Sequence, residues 1–358
     1  MTYFSIDCGD WESALHETPE IRETSTKLKM HLGNAVITRY EDIWSDKVRD
    51  KVRLSAYPLA LWFASSWWRL RWESLPKSIP SHSWRMSHEL AAAGHGYLWP
   101  KMLFASDGEN IQIWAVQSSP NPNMAVRYLC DASDLITGLQ FEHSIDHFMD
   151  CVIARLDSVG LGRTSLLDLW TEICAERENA DISDYRRLEA MLGFDPDECP
   201  EELHLQFSDL IPKAGADAVA EIAPVCASPN PQKILKEITE FAASRGYEGQ
   251  IDIPINVETD NSAAPWQRGK NLAQQIRSQA GLNGDAVDDK VLCNLLGLTK
   301  DAITDQLYSN HPLGMAVRIG DRARSKFLLS KRHRTGRRFE LARLLCEHLV
   351  DKQNNYAC

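Results

Sequence analysis

Histidines stand beside carboxylates at two places in the N-terminal half of the chain. At the first, His88 is followed directly by Glu89, and His95 lies seven residues after His88. Histidine and glutamate are common general acids and bases, so this trio is a candidate acid/base site. It is not a zinc-peptidase motif, because Ala92 stands where the second histidine is needed. The alternative is that the histidines form local hydrogen bonds inside a tryptophan-rich core.

The second place is a predicted helix over Phe141 to Leu156. At 100° per residue, its His143, His147 and Asp150 lie on one side. Two histidines one turn apart, with a carboxylate on the next turn, are a candidate metal site. The apolar residues of this helix lie on the opposite side, so the alternative is an ordinary solvated polar face.

A third pattern lies near the C-terminus, in Arg337-Arg-Phe-Glu-Leu-Ala-Arg-Leu-Leu-Cys-Glu-His-Leu-Val350. Upstream of it, one helix pattern begins at Pro265-Trp266 and a second ends in Leu-Leu-Gly297. Together these segments resemble the ImmA/IrrE family of zinc metallopeptidases over about residues 230–358. The resemblance implies a mainly helical, zincin-like domain whose His-Glu-x-x-His helix holds zinc and activates a water molecule.

The residues that carry this chemistry are absent from the matching helix. When the helix is aligned on the Phe and the Leu-Ala of the motif, Arg343 takes the first histidine position and Leu344 the glutamate position. Glu347 takes the second histidine position, and the lone His348 has Leu344 as its neighbour four residues back. Three protein ligands are needed for catalytic zinc. We therefore expect a degenerate domain with no metal, no other cofactor and no peptidase activity.

The resemblance also implies a setting. Domains of this type cleave or sense repressor-like proteins and occur in bacterial mobile-element, phage-related and stress contexts, so it implies regulation through a protein partner. Family members have helices beyond the motif, whereas residues 351–358 are polar and unpatterned. We expect a truncated or frame-shifted relative, or a fold that a partner completes.

The same helix has a predicted apolar stripe that the rest of the domain or a partner must cover. Its members are Phe339, Ala342, Leu345, Cys346 and Leu349.

DNA binding is the alternative function. Residues 291–307 have the pattern of a helix-turn-helix, with Gly297 at the turn and Thr299 as the N-cap of a second helix. Residues 322–338 include eight Lys or Arg, which favours an anionic partner; a solvated loop is the other interpretation. The net charge of −11 opposes non-specific attraction to phosphates. The candidate anion or nucleic-acid contacts are Arg332, Arg334, Arg337 and Arg338.

The elements that position these residues divide into two parts. We predict an N-terminal α+β domain at 1–225, a Pro-rich linker at 226–232 and the degenerate domain at 233–358. The second half of the N-terminal domain has helical periodicity near 138–156, 165–178, 184–192 and 214–222. A third functional alternative is an enzyme with its active site in this domain, around His88 and His95.

The first part of the N-terminal domain is rich in tryptophan. Seven of the eleven tryptophans fall between positions 62 and 114, in a buried core or, alternatively, as a platform for stacking nucleic-acid bases. We predict a helix over Val48 to Trp72, a hairpin over Met102 to Gln117, and strands over Ala35 to Tyr40 and Val126 to Cys130.

Cysteine content and hydropathy indicate the compartment. The nine cysteines are scattered and form no C-x-x-C pair, which argues against a disulfide framework and for a reducing, cytoplasmic location. No signal peptide is recognisable, and the uncharged run from Leu54 to Trp68 is 15 residues long, short of the ~20 that span a membrane. We therefore expect no membrane partner.

Overall fold

The protein is described by a computed structural model. The described residues are 3–76, 79–94, 99–120, 124–214, 219–223, 240, 244–251, 256–258, 263, 265–282, 284, 286–298, 302–304, 314–319, 324–350 and 356–357. The chain forms two compact units, Met1–Cys199 and Pro200–Cys358. The linker expected at 226–232 lies outside the described residues, so that boundary stays a prediction. The architecture is mixed α and β, as expected.

The first unit begins with small antiparallel sheets. Strand β3 is central to the first of them and pairs with β1, β2, β4 and β7. Two three-stranded sheets follow, in the orders β10-β5-β6 and β11-β9-β8. The strands are β1 Phe4–Asp7, β2 Trp11–Glu12, β3 Ser25–Leu32, β4 Ala35–Val36, β5 Tyr40–Asp42, β6 Lys47–Arg49, β7 Val52–Ser55, β8 Lys101–Ser106, β9 Asn110–Val116, β10 Val126–Tyr128 and β11 Ala132–Thr137.

Helices surround these sheets in the same unit. Helix α5 begins with a capping box, in which Thr137 Oγ1 accepts from the Gln140 amide and Gln140 Oε1 accepts from the Thr137 amide. The helices are α1 Pro19–Glu23, α2 Tyr57–Ser65, α3 Trp67–Trp72, α4 His82–His88, α5 Gly138–Ser158, α6 Ser165–Glu178 and α7 Ala180–Met191. The helices expected near 138, 165 and 184 are thus confirmed.

The predicted hairpin over Met102 to Gln117 is confirmed as β8 and β9. Its turn holds Gly108 at φ +91°, a backbone conformation that favours glycine. The Asp107 carboxylate accepts hydrogen bonds from the amides of Glu109 and Asn110. The strand predicted at Val126 is also confirmed, although it ends at Tyr128.

The helix expected from Val48 to Trp72 is wrong in its first third. Residues Lys47–Arg49 and Val52–Ser55 are strands, and the latter pairs with β3 from Leu28 to Ser25. This long-range pairing overrides the local apolar pattern. A helix forms only from Tyr57, and it breaks at Ser66 into α2 and α3. The strand expected at Ala35 to Tyr40 is likewise divided between β4 and β5.

The tryptophan cluster is core. Trp62, Trp67, Trp68, Trp84 and Trp99 are all buried, and all but Trp84 join one apolar cluster with the β1, β3 and β8 side chains. Each of these five side chains is at most 6% exposed, which is too little for a platform that stacks bases. The core interpretation of the sequence is therefore confirmed for these five residues.

The second unit contains a four-stranded antiparallel sheet in the order β12-β14-β13-β15. Gly297 approaches the backbone of this sheet so closely that an added Cβ would lie 1.9 Å from the Gln250 carbonyl oxygen. The elements are α8 Glu201–Ala214, β12 Tyr247–Gln250, α9 Pro265–Gln279, α10 Asp289–Leu295, β13 Met315–Ile319, β14 Arg324–Leu328, α11 Arg334–Val350 and β15 Tyr356–Ala357. Residues 224–239 and part of the predicted 214–222 helix lie outside the description.

The apolar stripe predicted for the last helix, α11, is wrong in two of its members. Phe339 is 73% exposed and Ala342 is exposed, whereas Leu345 and Leu349 are buried. The buried face of the helix differs from the expected one because it includes two polar residues, Arg337 and Glu340. A count of apolar residues alone could not include them. The residues of α11 that face the core are Arg337, Glu340, Leu341, Leu344, Leu345, His348 and Leu349.

Every helix in the described part of the chain is too short or too polar to cross a membrane.

Candidate functional site

A groove of about 620 Å³ lies in the first unit, among helices α3, α5, α6 and α7. Buried tryptophans form its floor: Trp67 contacts Trp170 edge-to-face, with ring centroids 5.3 Å apart, and stacks on Phe141 at 6.2 Å. Such aromatic contacts stabilise the packing of the floor. The lining residues are Trp67, Trp68, Arg71, Trp72, Glu142, Asp146, Asp150, Trp170, Cys174, Arg177, Glu178 and Ser183.

Carboxylates line one side of this groove. Glu142, Asp146 and Asp150 follow one another at four-residue spacing on α5, which places them in a row on one face of the helix. Glu178, at the end of α6, also lines the groove. Four carboxylates therefore accompany two guanidiniums, an excess of two negative charges.

The two guanidiniums neutralise the inner carboxylates. Arg71 Nε lies 2.6 Å from Glu142 Oε1. Arg177 donates to both oxygens of Asp146, at 2.7 and 3.2 Å. Burial opposes the charge of Arg177, but the hydrogen bonds and charge of Asp146, together with Glu142, raise the pKa of its guanidinium. Both arginines are therefore occupied by carboxylates of the groove.

The outer carboxylates are available. Asp150 and Glu178 are exposed, and neither makes a hydrogen bond or ion pair with any residue that the structure describes. The arginines in turn cover aromatic rings: Arg177 Cζ lies 4.5 Å from the centroid of Trp67, and Arg71 Cζ lies 3.9 Å from that of Trp72. The groove thus presents carboxylates, rather than free cations, to a ligand.

The thiol that lines the groove is not an activated nucleophile. Burial raises the pKa of the Cys174 thiol, and the opposing charge of Arg177 does not reverse this. A thiol in that state is a poor nucleophile at neutral pH. The geometry of the groove is suited to binding.

Two members of the predicted acid/base trio, His88 and Glu89, have different partners. His88 is completely buried; its Nδ1 lies 3.0 Å from the Phe104 carbonyl oxygen, to which it donates, and its Nε2 lies 3.0 Å from Glu73 Oε2. Glu89 instead pairs with Arg85 at the surface, at 2.7 Å. His95 lies outside the described residues. These contacts of His88 agree with the local hydrogen-bonding interpretation.

Sequence analysis missed the partners of His88. Arg69 donates to Glu73 at 2.7 Å, so an arginine, a glutamate and a histidine form a buried chain. The Trp84 ring stacks on the imidazole with centroids 4.1 Å apart. The four-residue spacing of Arg69 and Glu73 on adjoining helical turns was the only available signal.

The predicted metal site on α5 lies on a solvated face. His143, His147 and Asp150 are all exposed on α5, and Asp150 borders the groove. Within the described part of the chain, no three His, Cys, Asp or Glu side chains come together as metal ligands.

At the degenerate motif of α11, one side chain packs in the core and the other two form an ion pair. Leu344 is completely buried in the core of the second unit. Arg343 Nη1 lies 2.8 Å from Glu347 Oε1 and 3.0 Å from Glu221 Oε2. A guanidinium and a leucine cannot serve as zinc ligands. The positions that would hold zinc therefore hold groups with other partners.

Three of the four candidate arginines in the basic run form hydrogen bonds with residues of their own unit. Arg337 is 2% exposed and donates to the carbonyls of Lys331 and Ala302. Arg334 and Arg338 both bond to Asp289. Burial disfavours the charged form of Asp289, but the hydrogen bonds of these two arginines lower its pKa. Of the four candidate contacts, Arg332 and Arg334 are exposed.

The helix-turn-helix interpretation is only partly covered by the structure. Helix α10 and the turn at Gly297, with φ +59°, are present. Residues 299–301 and 305–307, which include the expected N-cap Thr299, lie outside the description. The second helix therefore stays a prediction.

The chain matches no protein-family model, no curated protein and no solved structure. The resemblance to ImmA/IrrE peptidases rests on the quoted sequence segments.

Proposed function

We propose that this chain is a non-catalytic regulatory protein that binds another protein, and that the groove of the first unit takes basic side chains of that partner. The observation that carries this proposal is the row of carboxylates above a floor of buried tryptophans, with Asp150 and Glu178 exposed and available. A lysine or arginine can extend its methylene groups along the groove and place its cation between these two carboxylates.

Helix α11 supports a non-catalytic role. Its motif positions are occupied by the buried Leu344 and by the Arg343–Glu347 pair. By the ImmA/IrrE resemblance, we place the protein in a bacterial mobile-element, phage-related or stress setting, as a relative that has kept a binding role. Elemental analysis of the dialysed protein should give well below one zinc per chain. One zinc per chain, lost on Glu347→Ala, would contradict this proposal.

A protein partner is favoured over a nucleic acid by the contacts of the arginines. To neutralise a phosphate, a guanidinium must not already be held by other oxygen atoms of the protein. Three of the four candidate arginines donate to carbonyl or carboxylate oxygens of their own unit. The groove itself repels phosphates, since its available groups are carboxylates.

The groove is tested by titrating a fluorescent arginine-rich peptide into the full chain, with a glutamate-rich peptide of equal length for comparison. Asp150→Asn/Glu178→Gln removes the two available charges. Glu172→Gln/Asp209→Asn is the matched control, since both residues are exposed on helices and neither lines the groove.

We expect the arginine-rich peptide alone to bind. Exposed ion pairs contribute about 0.2–1 kcal/mol each, so losing two should weaken binding about 2- to 30-fold. The control variant should bind as the parent does. Equal affinity for the two peptides, or an unchanged affinity in the groove variant, would contradict the proposal.

A further inference from the structure

Two cysteines of the first unit lie against each other. Cys8 directly follows strand β1, and Cys151 lies on α5; both are free and partly buried. Each thiol is a main cause of the shift in the other's pKa, so the two side chains are neighbours. This pair takes no part in the groove.

The packing of α5 along β1 explains this contact. Ser144 Oγ donates to the Phe4 carbonyl at 2.5 Å, which fixes one point where helix and strand meet. From that point Cys8 is four residues along the strand, about 13 Å, and Cys151 is seven residues along the helix, about 10 Å. Further along both elements, Arg155 Cζ lies 6.0 Å from the ring centroid of Trp11, so the chain runs in the same direction in both, and Cys8 and Cys151 lie between these two contacts.

The two thiols have opposite proton affinities. The hydrogen bond with Cys151, then burial, raises the pKa of Cys8, while the same hydrogen bond lowers the pKa of Cys151 to about 7. Cys151 is therefore the thiol of the pair that loses its proton more readily. Burial raises the pKa of each of the other thiols for which a shift is resolved: Cys130, Cys174, Cys199 and Cys346.

We propose that Cys8 and Cys151 are an oxidation site for hydroperoxides, in which Cys151 reacts first and Cys8 closes a disulfide. The Cys151 thiolate attacks one oxygen of hydrogen peroxide; an S–O bond forms, the O–O bond breaks, and hydroxide leaves and is protonated to water. Cys8 sulfur then attacks the sulfenic sulfur of Cys151; the S–S bond forms, the S–O bond breaks, and the second hydroxide leaves as water with the proton of Cys8. Two thiols are oxidised and one peroxide is reduced to two waters.

The disulfide joins the first strand of the unit to its longest helix. It closes a loop over most of the first unit, so it restricts the unfolded chain and raises the melting temperature of that unit. In a reducing compartment the bond is reversible by dithiol exchange. The pair therefore acts as a reversible modification site.

The test oxidises the full chain with an equimolar amount of hydrogen peroxide at pH 7. Intact mass should fall by the two hydrogens of a disulfide, and a tryptic map should contain the Cys8 and Cys151 peptides joined. In Cys8→Ser, Cys151 should accumulate as sulfenic acid and be trapped by dimedone. Cys174→Ser, on the neighbouring helix, is the matched control and should oxidise as the parent does.

Alkylation of the parent protein provides a second measurement that needs no variant. Limiting iodoacetamide at pH 7 should label Cys151 several-fold faster than Cys174, because the thiolate is the reacting form. A map without the Cys8–Cys151 peptide after oxidation would overturn the proposal. So would labelling of Cys174 before Cys151, or a Cys8→Ser variant without a dimedone adduct on Cys151.

Discussion

At the scale of single residues, the guanidinium of Arg186 forms ion pairs with three carboxylates, two of which are buried. Its guanidinium lies 2.7 Å from Glu176, 2.9 Å from Glu189 and 2.8 Å from Asp197. Glu189 is 1% exposed, and Glu176 also accepts from the Trp68 indole, whose ring borders the groove. Arg186 thus supports the tryptophan floor through Glu176.

Replacing Arg186 should destabilise the first unit strongly. Arg186→Met leaves two buried carboxylates without their cation, which typically costs about 3–5 kcal/mol. Arg53→Met is the matched control: its pair with Glu12 has side chains 60% and 31% exposed, and exposed pairs contribute about 0–1 kcal/mol. Urea denaturation followed by tryptophan fluorescence measures both. A loss below about 1 kcal/mol for Arg186→Met would mean that the carboxylates have other partners.

The same arginine links the stability of the first unit to pH through the carboxyl group of Asp197. Its hydrogen bond with Arg186 lowers the Asp197 pKa below the ordinary 3.8. A lowered carboxyl pKa contributes stability above the unfolded value, and that contribution is lost as pH falls through the folded value. NMR titration of the parent should therefore show an Asp197 midpoint below 3.8. Arg186→Lys removes the guanidinium that donates to both Asp197 oxygens, so the midpoint in this variant should be near 3.8. An unchanged midpoint in a variant that lacks the guanidinium would contradict this cause.

At the scale of elements, the last helix shows which parts of a sequence pattern can mislead. Its helical period is clear, so its existence was predictable. Its buried face was not, because Arg337 and Glu340 are held inside by hydrogen bonds to Lys331, Ala302 and Ser330. Buried polar residues with partners are invisible to a count of apolar residues.

Two substitutions on this helix should therefore differ. Leu344→Ala removes a completely buried side chain and should cost about 2–5 kcal/mol. Phe339→Ala removes a larger ring that is 73% exposed, and should stay within about 0.5 kcal/mol. Thermal and urea unfolding of the full-length variants measures both. The reverse order would mean that a partner or another segment covers Phe339.

The groove was predictable only in part. The spacing of Glu142, Asp146 and Asp150 is visible in the sequence, and the same face was interpreted there through its neighbouring histidines. The arginines that neutralise two of these carboxylates come from α3 and α6, 71 and 31 residues away. Such pairing depends on how helices pack, which no local pattern specifies. The same reason explains β7, whose partner β3 lies in a distant part of the sequence.

At the scale of the whole molecule, the net charge of the chain and the charge of the groove both favour a basic partner. The chain carries a formal net charge of −11, so its field attracts a basic partner over distances longer than a contact. The excess of two carboxylates in the groove then provides the local match. Association should consequently slow as ionic strength rises, since salt screens this attraction.

Hydrogen-exchange mass spectrometry of the full chain, with and without the arginine-rich peptide, tests the central claim most directly. If the groove is the binding surface, added peptide should slow exchange in α5 and α6, at Gly138–Ser158 and Ser165–Glu178. The Asp150→Asn/Glu178→Gln variant should lose this protection. Protection confined to α11, or none on α5 and α6 at saturating peptide, would contradict the account.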